Sequence, residues 1–420
     1  MRMRTAYALV ALLICCGAAR AEVAVSFPLE GHYRPGRYMP VHISASGNDT
    51  VMLHGNGSVP TEVSWTGRFD AVVPWLAVVL LRDPGWWSSA SGEHSLDIPL
   101  KPLADDEQLV ALAGDDGSAA RALFPGKSVI LIALDGSGAL LAPAAAWEAL
   151  DGVVLDAAAA ERLKPAQIAT LLAAGTLIAV RSDPRPDQTW PWERREAYWV
   201  LQHETVGPAS PIAADAYLPT YDWQRGWPAG FRRQVLVAAI LFSILALGIT
   251  LWRSRYMLIA FAALSVIAVV GFAWWYRRQS PVLDMTANIW VRDASLAQRD
   301  HWKWESAMRP VERSSPSTLL TRPVFASMRQ IEQTHLRLVW SAPEESRFSY
   351  HLDPSASLAF LNRSVWPSGE TPSVEPGTPR LTEFVRQLYL GEGERMIGQV
   401  RVLESQGSEM TVLVERIRKR

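Results

Sequence analysis

Five aspartates stand where apolar runs end, and carboxylates placed there could do chemistry. Asp115 and Asp116 follow the run 109–113, Asp135 follows 128–134, Asp156 follows 152–155, and Asp183 lies three residues beyond 176–180. If those runs are neighbouring strands, the five side chains share one rim. In an open α/β sheet, ligands bind beyond the carboxyl ends of the strands. Clustered carboxylates there can hold Mg²⁺ for phosphoryl or hydrolytic chemistry. The same positions suit a plainer task. Asp favours turns and helix N-caps, and strand-to-helix junctions are built from both. Asp156, directly before the helical pattern 157–163, fits a cap without further assumption.

Other chemistries have weaker support. Gly136-Ser137-Gly138 lacks the third glycine of a dinucleotide loop and the flanks of a nucleophile elbow, so it reads as a turn. The histidines (His32, His42, His54, His94, His203, His301, His335, His351) include no helical pair at metal-ligand spacing, and no metal site or cofactor is expected. The 18 tryptophans include Trp86-Trp87, Trp190-Pro191-Trp192 and Trp302-Lys303-Trp304. In a strand, Trp302 and Trp304 would present both rings on one face, as a stacking platform for a sugar or peptide would require. The competing reading is a core filled by large aromatics.

The elements around these residues are organised by a long apolar stretch. Residues 235–252 and 256–276 are almost free of charge and are separated only by Arg253-Ser254-Arg255. Each run approaches the roughly 20 residues that a spanning helix needs. Trp223, Trp227, Trp252, Trp274, Trp275 and Tyr276 flank them as an interfacial belt would. The expectation is a transmembrane hairpin, 234–252 and 256–276, in contact with the lipid bilayer. Residues 1–21 have a basic start (Arg2, Arg4), an apolar core and Ala19-Arg20-Ala21, the pattern of a secretory signal. Cleavage there would remove Cys15 and Cys16, the only cysteines, leaving no thiol for disulfide, metal or nucleophile. It would also reduce 41 basic residues to 38, against 42 acidic ones. That balance gives no argument for nucleic-acid binding. The signal places both flanks of the hairpin outside the cytoplasm. The four flanking arginines (Arg232, Arg233, Arg277, Arg278) outnumber the two in the loop and argue the other way. Large domains, however, translocate largely regardless of charge.

Residues 22–103 show short apolar runs (22–27, 38–44, 51–53, 71–81, 95–100) between turn clusters, as a β-sandwich does. From 104 to 206 the rhythm is strand–helix alternation. Its four near-continuous apolar runs predict a parallel sheet covered on both faces, with helices at 143–150, 157–163 and 165–174 and a stop at Gly175. A linker at 207–233 approaches the membrane. Residues 281–420 form a β-rich domain with a helix over 381–390, a loop over 364–380 and a closing hairpin, 396–403 with 410–414. The chain is thus expected to be a multidomain membrane protein: an N-terminal β-sandwich, an α/β parallel-sheet domain, a two-helix hairpin and a C-terminal β-rich domain.

The stretch 151–156 (Asp-Gly-Val-Val-Leu-Asp), followed by 163–180 with Pro165-Ala166-Gln167 and Gly175-Thr176-Leu177, resembles the class I glutamine-amidotransferase-like domain. The opening 27–37, Phe-Pro-Leu-Glu-Gly-His-Tyr-Arg-Pro-Gly-Arg, is similar to bacterial envelope proteins that carry such a domain. The resemblance implies the α/β fold and co-operation with MoxR-type ATPases and von Willebrand factor A-type membrane proteins. Active amidotransferases use a cysteine at a strand-to-helix elbow, and this chain has none after Cys16, so no glutaminase activity is expected. The expected function is a non-enzymatic inner-membrane scaffold with periplasmic domains that bind other envelope proteins. Two alternatives belong to other classes: a metal-dependent hydrolase using the strand-end aspartates, and a carbohydrate-binding envelope protein using the paired tryptophans.

Overall fold

The computed structural model describes residues 22–415 apart from 47–49, 56–58, 67, 78–84, 90–91, 98, 116, 135–143, 184, 187–188, 206–230, 252–255, 279–281, 293–294, 308–309, 318–320, 325–329, 331–332, 343–344, 354–356, 368–388, 390–399 and 405–408. The signal-like segment 1–21, most of the linker 207–233, the loop Arg253-Ser254-Arg255 and the basic tail 416–420 lie outside the described residues.

The described residues of 22–102 form nine strands: β1 (Glu22–Ser26), β2 (His32–Tyr33), β3 (Arg37–Ser46), β4 (Thr50–Gly55), β5 (Thr61–Thr66), β6 (Phe69–Ala77), β7 (Gly85–Ser89), β8 (Gly92–Ser95) and β9 (Lys101–Pro102). The sequence suggests neither β5 nor β7, and the strand expected at 95–100 is replaced by the short β8 and β9. Strands β1-β3-β6 make one sheet, and β5-β4-β7-β8 make part of another. Val41, Ile43, Val73 and Trp75 of the first sheet meet Leu53 and Val63 of the second in a common core.

The next region holds β10 (Glu107–Ala113), β11 (Ser128–Ala133), β12 (Gly152–Asp156), α1 (Ala157–Arg162), α2 (Pro165–Ala174), β13 (Leu177–Arg181), β14 (Glu193–Arg195) and β15 (Tyr198–Leu201). The sheet order is β11-β10-β12-β13-β15-β14, parallel over the first four strands and antiparallel at β15 and β14. Alternation divides its side chains between two cores. Leu109, Ala111, Val153, Leu155, Ile178 and Val180 pack with Ile168 and Leu172 of α2. Val110, Leu112, Val154, Leu177 and Ala179 pack with Ala120, Tyr198 and Val200. Both faces are covered, but the second by the β10–β11 connection, whose described residues include a single 3-10 turn, Ala120–Leu123. The helix expected at 143–150 is likewise a 3-10 turn, Ala144–Trp147. Gly175 ends α2 in the left-handed region at φ 86°, as its sequence position suggests.

After α3 (Phe231–Leu251) and α4 (Met257–Arg278) come β16 (Val282–Arg292), β17 (Leu296–Ala307), β18 (Val311–Ser317), β19 (Thr321–Val324), β20 (Arg337–Ala342), β21 (Glu345–Leu352), β22 (Ser357–Pro367), β23 (Val400–Glu404) and β24 (Glu409–Glu415). Six of these form the sheet β19-β22-β17-β16-β24-β23, including the expected terminal hairpin. The helix expected over 381–390 lies outside the described residues except for Tyr389.

The C-terminal region is not self-contained. Strand β20 pairs in parallel with β5, Leu338 opposite Thr61 and Trp340 opposite Val63. Strands β18-β21-β20 thereby continue the sandwich sheet into seven strands. Arg337 Nη1 reaches Glu62 Oε1 at 3.2 Å across the join. The β22-β17 sheet has two buried faces. Phe360 meets Phe348 and Tyr350 of β21, each at 5.4 Å between ring centres. Strand β22 also contacts α2 of the α/β region.

Helices α3 and α4 touch each other, yet their large apolar side chains are uncovered. Leu258 is 77% exposed, Ile267 68% and Leu236 61%. Water strongly opposes that arrangement. Among the residues whose side chains are described, no helix is long and apolar enough to cross a membrane. The two helices have 21 and 22 residues, about 31 and 33 Å at 1.5 Å per residue.

Candidate functional site

The strand ends bring together part of the acidic rim. Asp115, its side chain 1% exposed, sits beyond β10. Its Oδ1 accepts the Gly117 amide at 2.7 Å and the Tyr198 hydroxyl at 3.3 Å, and its Oδ2 is 3.7 Å from Arg181 Nη1. Asp156 ends β12 and caps α1, Oδ1 accepting the Ala159 amide at 2.6 Å. It lies so close to the neighbouring turn that a Cβ on Gly114 would stand 2.2 Å from its Oδ2. Asp183 is exposed. Asp116 and Asp135, and the turn at 136–138, lie outside the described residues. Among the described residues no three His, Cys, Asp or Glu side chains converge as a metal site. Asp115 closes a turn and Asp156 caps a helix, so both are engaged in positioning backbone.

A groove of about 410 Å³ opens beside this rim, between α1, α2 and the end of β13. Leu163, Ile168, Val180 and Trp192 form apolar wall, and Glu161 and Arg185 are its charged members. Arg185 Nη2 already donates to the Trp190 carbonyl at 2.6 Å.

The tryptophan platform is corrected. Strand β17 does place Trp302 and Trp304 on one face, their rings 5.5 Å apart and 7° from parallel. That face is internal: Trp302 is fully buried and Trp304 is 4% exposed. Neither ring is free to stack on a sugar. Trp190 and Trp192 are buried too. The half-buried Trp86 and Trp87 stack on the cross-strand histidines His54 and His94, at 4.0 and 4.1 Å.

The same buried face of β17 carries a polar network that sequence reasoning missed. Asp300 is opposite Arg363 of β22 in the ladder. Arg363 Nε donates to Asp300 Oδ1 and Nη2 to Oδ2, both at 2.8 Å, in a two-pronged pair. Gln298 Nε2 donates to Oδ1 at 2.9 Å, and the Tyr389 hydroxyl donates to Oδ2 at 2.6 Å. Trp302 Nε1 donates in turn to the Tyr389 oxygen at 2.7 Å. His203, from the end of β15, closes the chain at Gln298 Oε1, 3.1 Å away. Because the Gln298 amide nitrogen is engaged by Asp300, His203 Nε2 is the donor there. Asp300 is fully buried and Arg363 is 2% exposed. Asp300 holds the Arg363 pKa above its ordinary value despite burial, with Glu148 adding to the effect. Burial, then the Asp300 charge, pushes the Tyr389 phenol well up, so it remains a donor.

On the opposite face of β17, Glu305 is fully buried. It accepts the Tyr350 hydroxyl at 2.5 Å, lies 3.4 Å from Arg313 Nε, and is paired with Lys303. His203 also lines a polar cleft of about 260 Å³ with Glu193, Arg195, Gln202, Glu204 and Ser295. The network behind it is fully satisfied: every oxygen of Asp300 has two donors. This geometry suits fastening more than catalysis, since a nucleophile or base needs an unused lone pair facing a cavity.

No family model, curated protein or solved structure matches this chain.

The motifs behind the amidotransferase resemblance have local structural roles. In Pro165-Ala166-Gln167, proline occupies the first helical turn and Gln167 Oε1 accepts the Lys164 amide at 2.9 Å. Both are general devices for starting a helix. In the 27–37 segment, Gly31 turns at φ 81° where a Cβ would meet the Pro99 carbonyl at 2.3 Å. Arg34 Nη2 bonds Asp151 Oδ2 at 2.7 Å and the Glu107 carbonyl at 2.8 Å, with Arg37 3.5 Å from the same carboxylate. Tyr38 adds a backbone bridge, its amide donating to Glu148 Oε2 at 3.2 Å. These residues clasp the sandwich to the α/β sheet.

Proposed function

We propose that the protein is a non-enzymatic, two-pass protein of the bacterial inner membrane, and that its periplasmic flanks form one scaffold for envelope partners. One observation carries the reading: β5 and β20 belong to the same sheet, although α3 and α4 lie between them in sequence. A chain that crosses a bilayer between two paired strands must cross back, and α3 with α4 supplies two crossings. The uncovered apolar side chains of both helices support it, because lipid removes the cost that water would impose. The signal-like segment at 1–21 supports the periplasmic side. The scaffold role is supported by the engagement of Asp115 in a turn, of Asp156 in a helix cap and of Asp300 in a buried set of four donors. MoxR-type ATPases and von Willebrand factor A-type proteins are the partners the resemblance suggests.

Fusions test the arrangement. Alkaline phosphatase joined after Arg420 is expected to be active, and a green fluorescent protein exported by the same route is expected to be dark. The opposite pair of results would put both flanks in the cytoplasm and end the periplasmic reading. Retention in the membrane after an alkaline carbonate wash, lost on deleting 231–278, tests the crossing itself.

A further inference from the structure

The edges of the sheets differ in how they are protected. A free strand edge is a template for another strand, and proteins blunt it with charge, proline or covering structure. Among the described edge strands of three residues or more, β1 carries Glu22, β6 carries Asp70 and Pro74, β8 carries Glu93, and β14 is Glu-Arg-Arg. Likewise β18 carries Glu312, Arg313 and Pro316, β19 Arg322 and Pro323, and β23 Arg401 and Glu404. Strand β11 alone has neither: it reads Ser-Val-Ile-Leu-Ile-Ala, and among the described residues it pairs only with β10. Val129, Ile130 and Leu131 are each only partly covered.

We propose that the β11 edge is an interface between two copies of this chain, paired antiparallel about a twofold axis through Leu131. The strand is complementary to itself in that register. Ile130 falls opposite Ile132 of the second copy, and Val129 opposite Ala133. A twofold axis perpendicular to the sheet keeps like faces together. Ile130 and Ile132 pack on the α2 side and Val129 and Leu131 on the other, so both apolar layers continue across the join. A partner strand from another protein would need the same uncharged pattern, whereas a second copy supplies it at no cost in design. Two six-stranded sheets would become one of twelve, and the isologous contact closes at two copies.

The test uses the full chain in detergent. Wild type is expected to sediment as a concentration-dependent dimer. Leu131→Cys, in a chain with C15S and C16S, is expected to form a disulfide-linked dimer under mild oxidation, since residues directly opposite in a ladder have Cβ atoms about 4.5–5.5 Å apart. Val129→Cys is expected to stay unlinked, because its two copies would lie about 13 Å apart along the strands. Ala133→Lys, at an exposed position that the monomer tolerates, is expected to weaken the dimer about tenfold or more. A monomer at every concentration overturns the proposal. So does linkage of Val129→Cys but not Leu131→Cys, or an unchanged dimer in Ala133→Lys.

Discussion

Asp300 shows how a charge can be placed in a core. Two prongs of Arg363, the Tyr389 hydroxyl and the Gln298 amide occupy its four acceptor positions. Removing one member leaves the rest stranded, so Arg363→Met is expected to destabilise the fold by about 3–5 kcal/mol. Replacing Asp300 and Arg363 together is expected to cost less than the two single changes added, and urea denaturation of the four proteins reads the coupling. His32 offers a pH signature. Burial first, and Lys101 beside it, lower its pKa below 6.5 in the fold. The unfolded chain therefore takes up the proton first as pH falls, and this contribution to stability is present above 6.5 and lost below it. The loss of melting temperature between pH 7.5 and pH 5 is expected to be smaller in His32→Gln than in wild type. At this scale the sequence was only partly informative. Asp156 as a cap was legible because capping needs only neighbours in the chain. Asp300 was not, because an isolated acidic residue reads as solvent-facing until its partner 63 positions away is known. The one usable hint was the Trp302-x-Trp304 alternation, which continues backward to Asp300 and Gln298.

Strand ends and helix starts followed local rules, and elements with mixed composition did not. The parallel strands β10 to β13 are uniform apolar runs that both faces of a covered sheet require, so they were legible. Strand β17 mixes Gln, Arg, Asp, His, Lys and Glu with its tryptophans, and only pairing with β16 and β22 makes it a strand. Strand β5, with Thr61, Glu62, Ser64 and Thr66, was hidden for the same reason. The junction of β10, β12 and α1 gives a direct test. Gly114 turns at φ 75° against Asp156. Asp156→Ala should cost about 1 kcal/mol through the lost cap. Gly114→Ala should cost more, about 2–3 kcal/mol, because it adds left-handed strain to displacement of the same carboxylate. Thermal melting of the two variants ranks them, and equal losses would mean that the turn relaxes away from the cap.

The molecule as a whole is more interlocked than its division into regions suggested. That the chain is strand-rich, with several sheets and few helices, was visible from changes in periodicity. The shared seven-stranded sheet was not, because no pattern in 61–66 or 337–342 names its partner. A fragment of residues 22–205 would lose β20 and expose the inner edge of β5. Such a fragment is expected to melt at a lower temperature than the full chain and to aggregate more readily. Retention of the full-length melting temperature would show that the sheets are independent.

That shared sheet also sets a clock. Glu62 and Arg337, which meet across it, are 275 positions apart. At about 5–20 residues per second, a ribosome makes that length in roughly 14 to 55 s. For that interval the first half of the sheet exists with its central edge open, while an apolar hairpin emerges behind it. A newly made chain therefore passes through a long, sticky adolescence, and its yield in the cell should depend on what shields β5 during synthesis as much as on the stability of the finished fold.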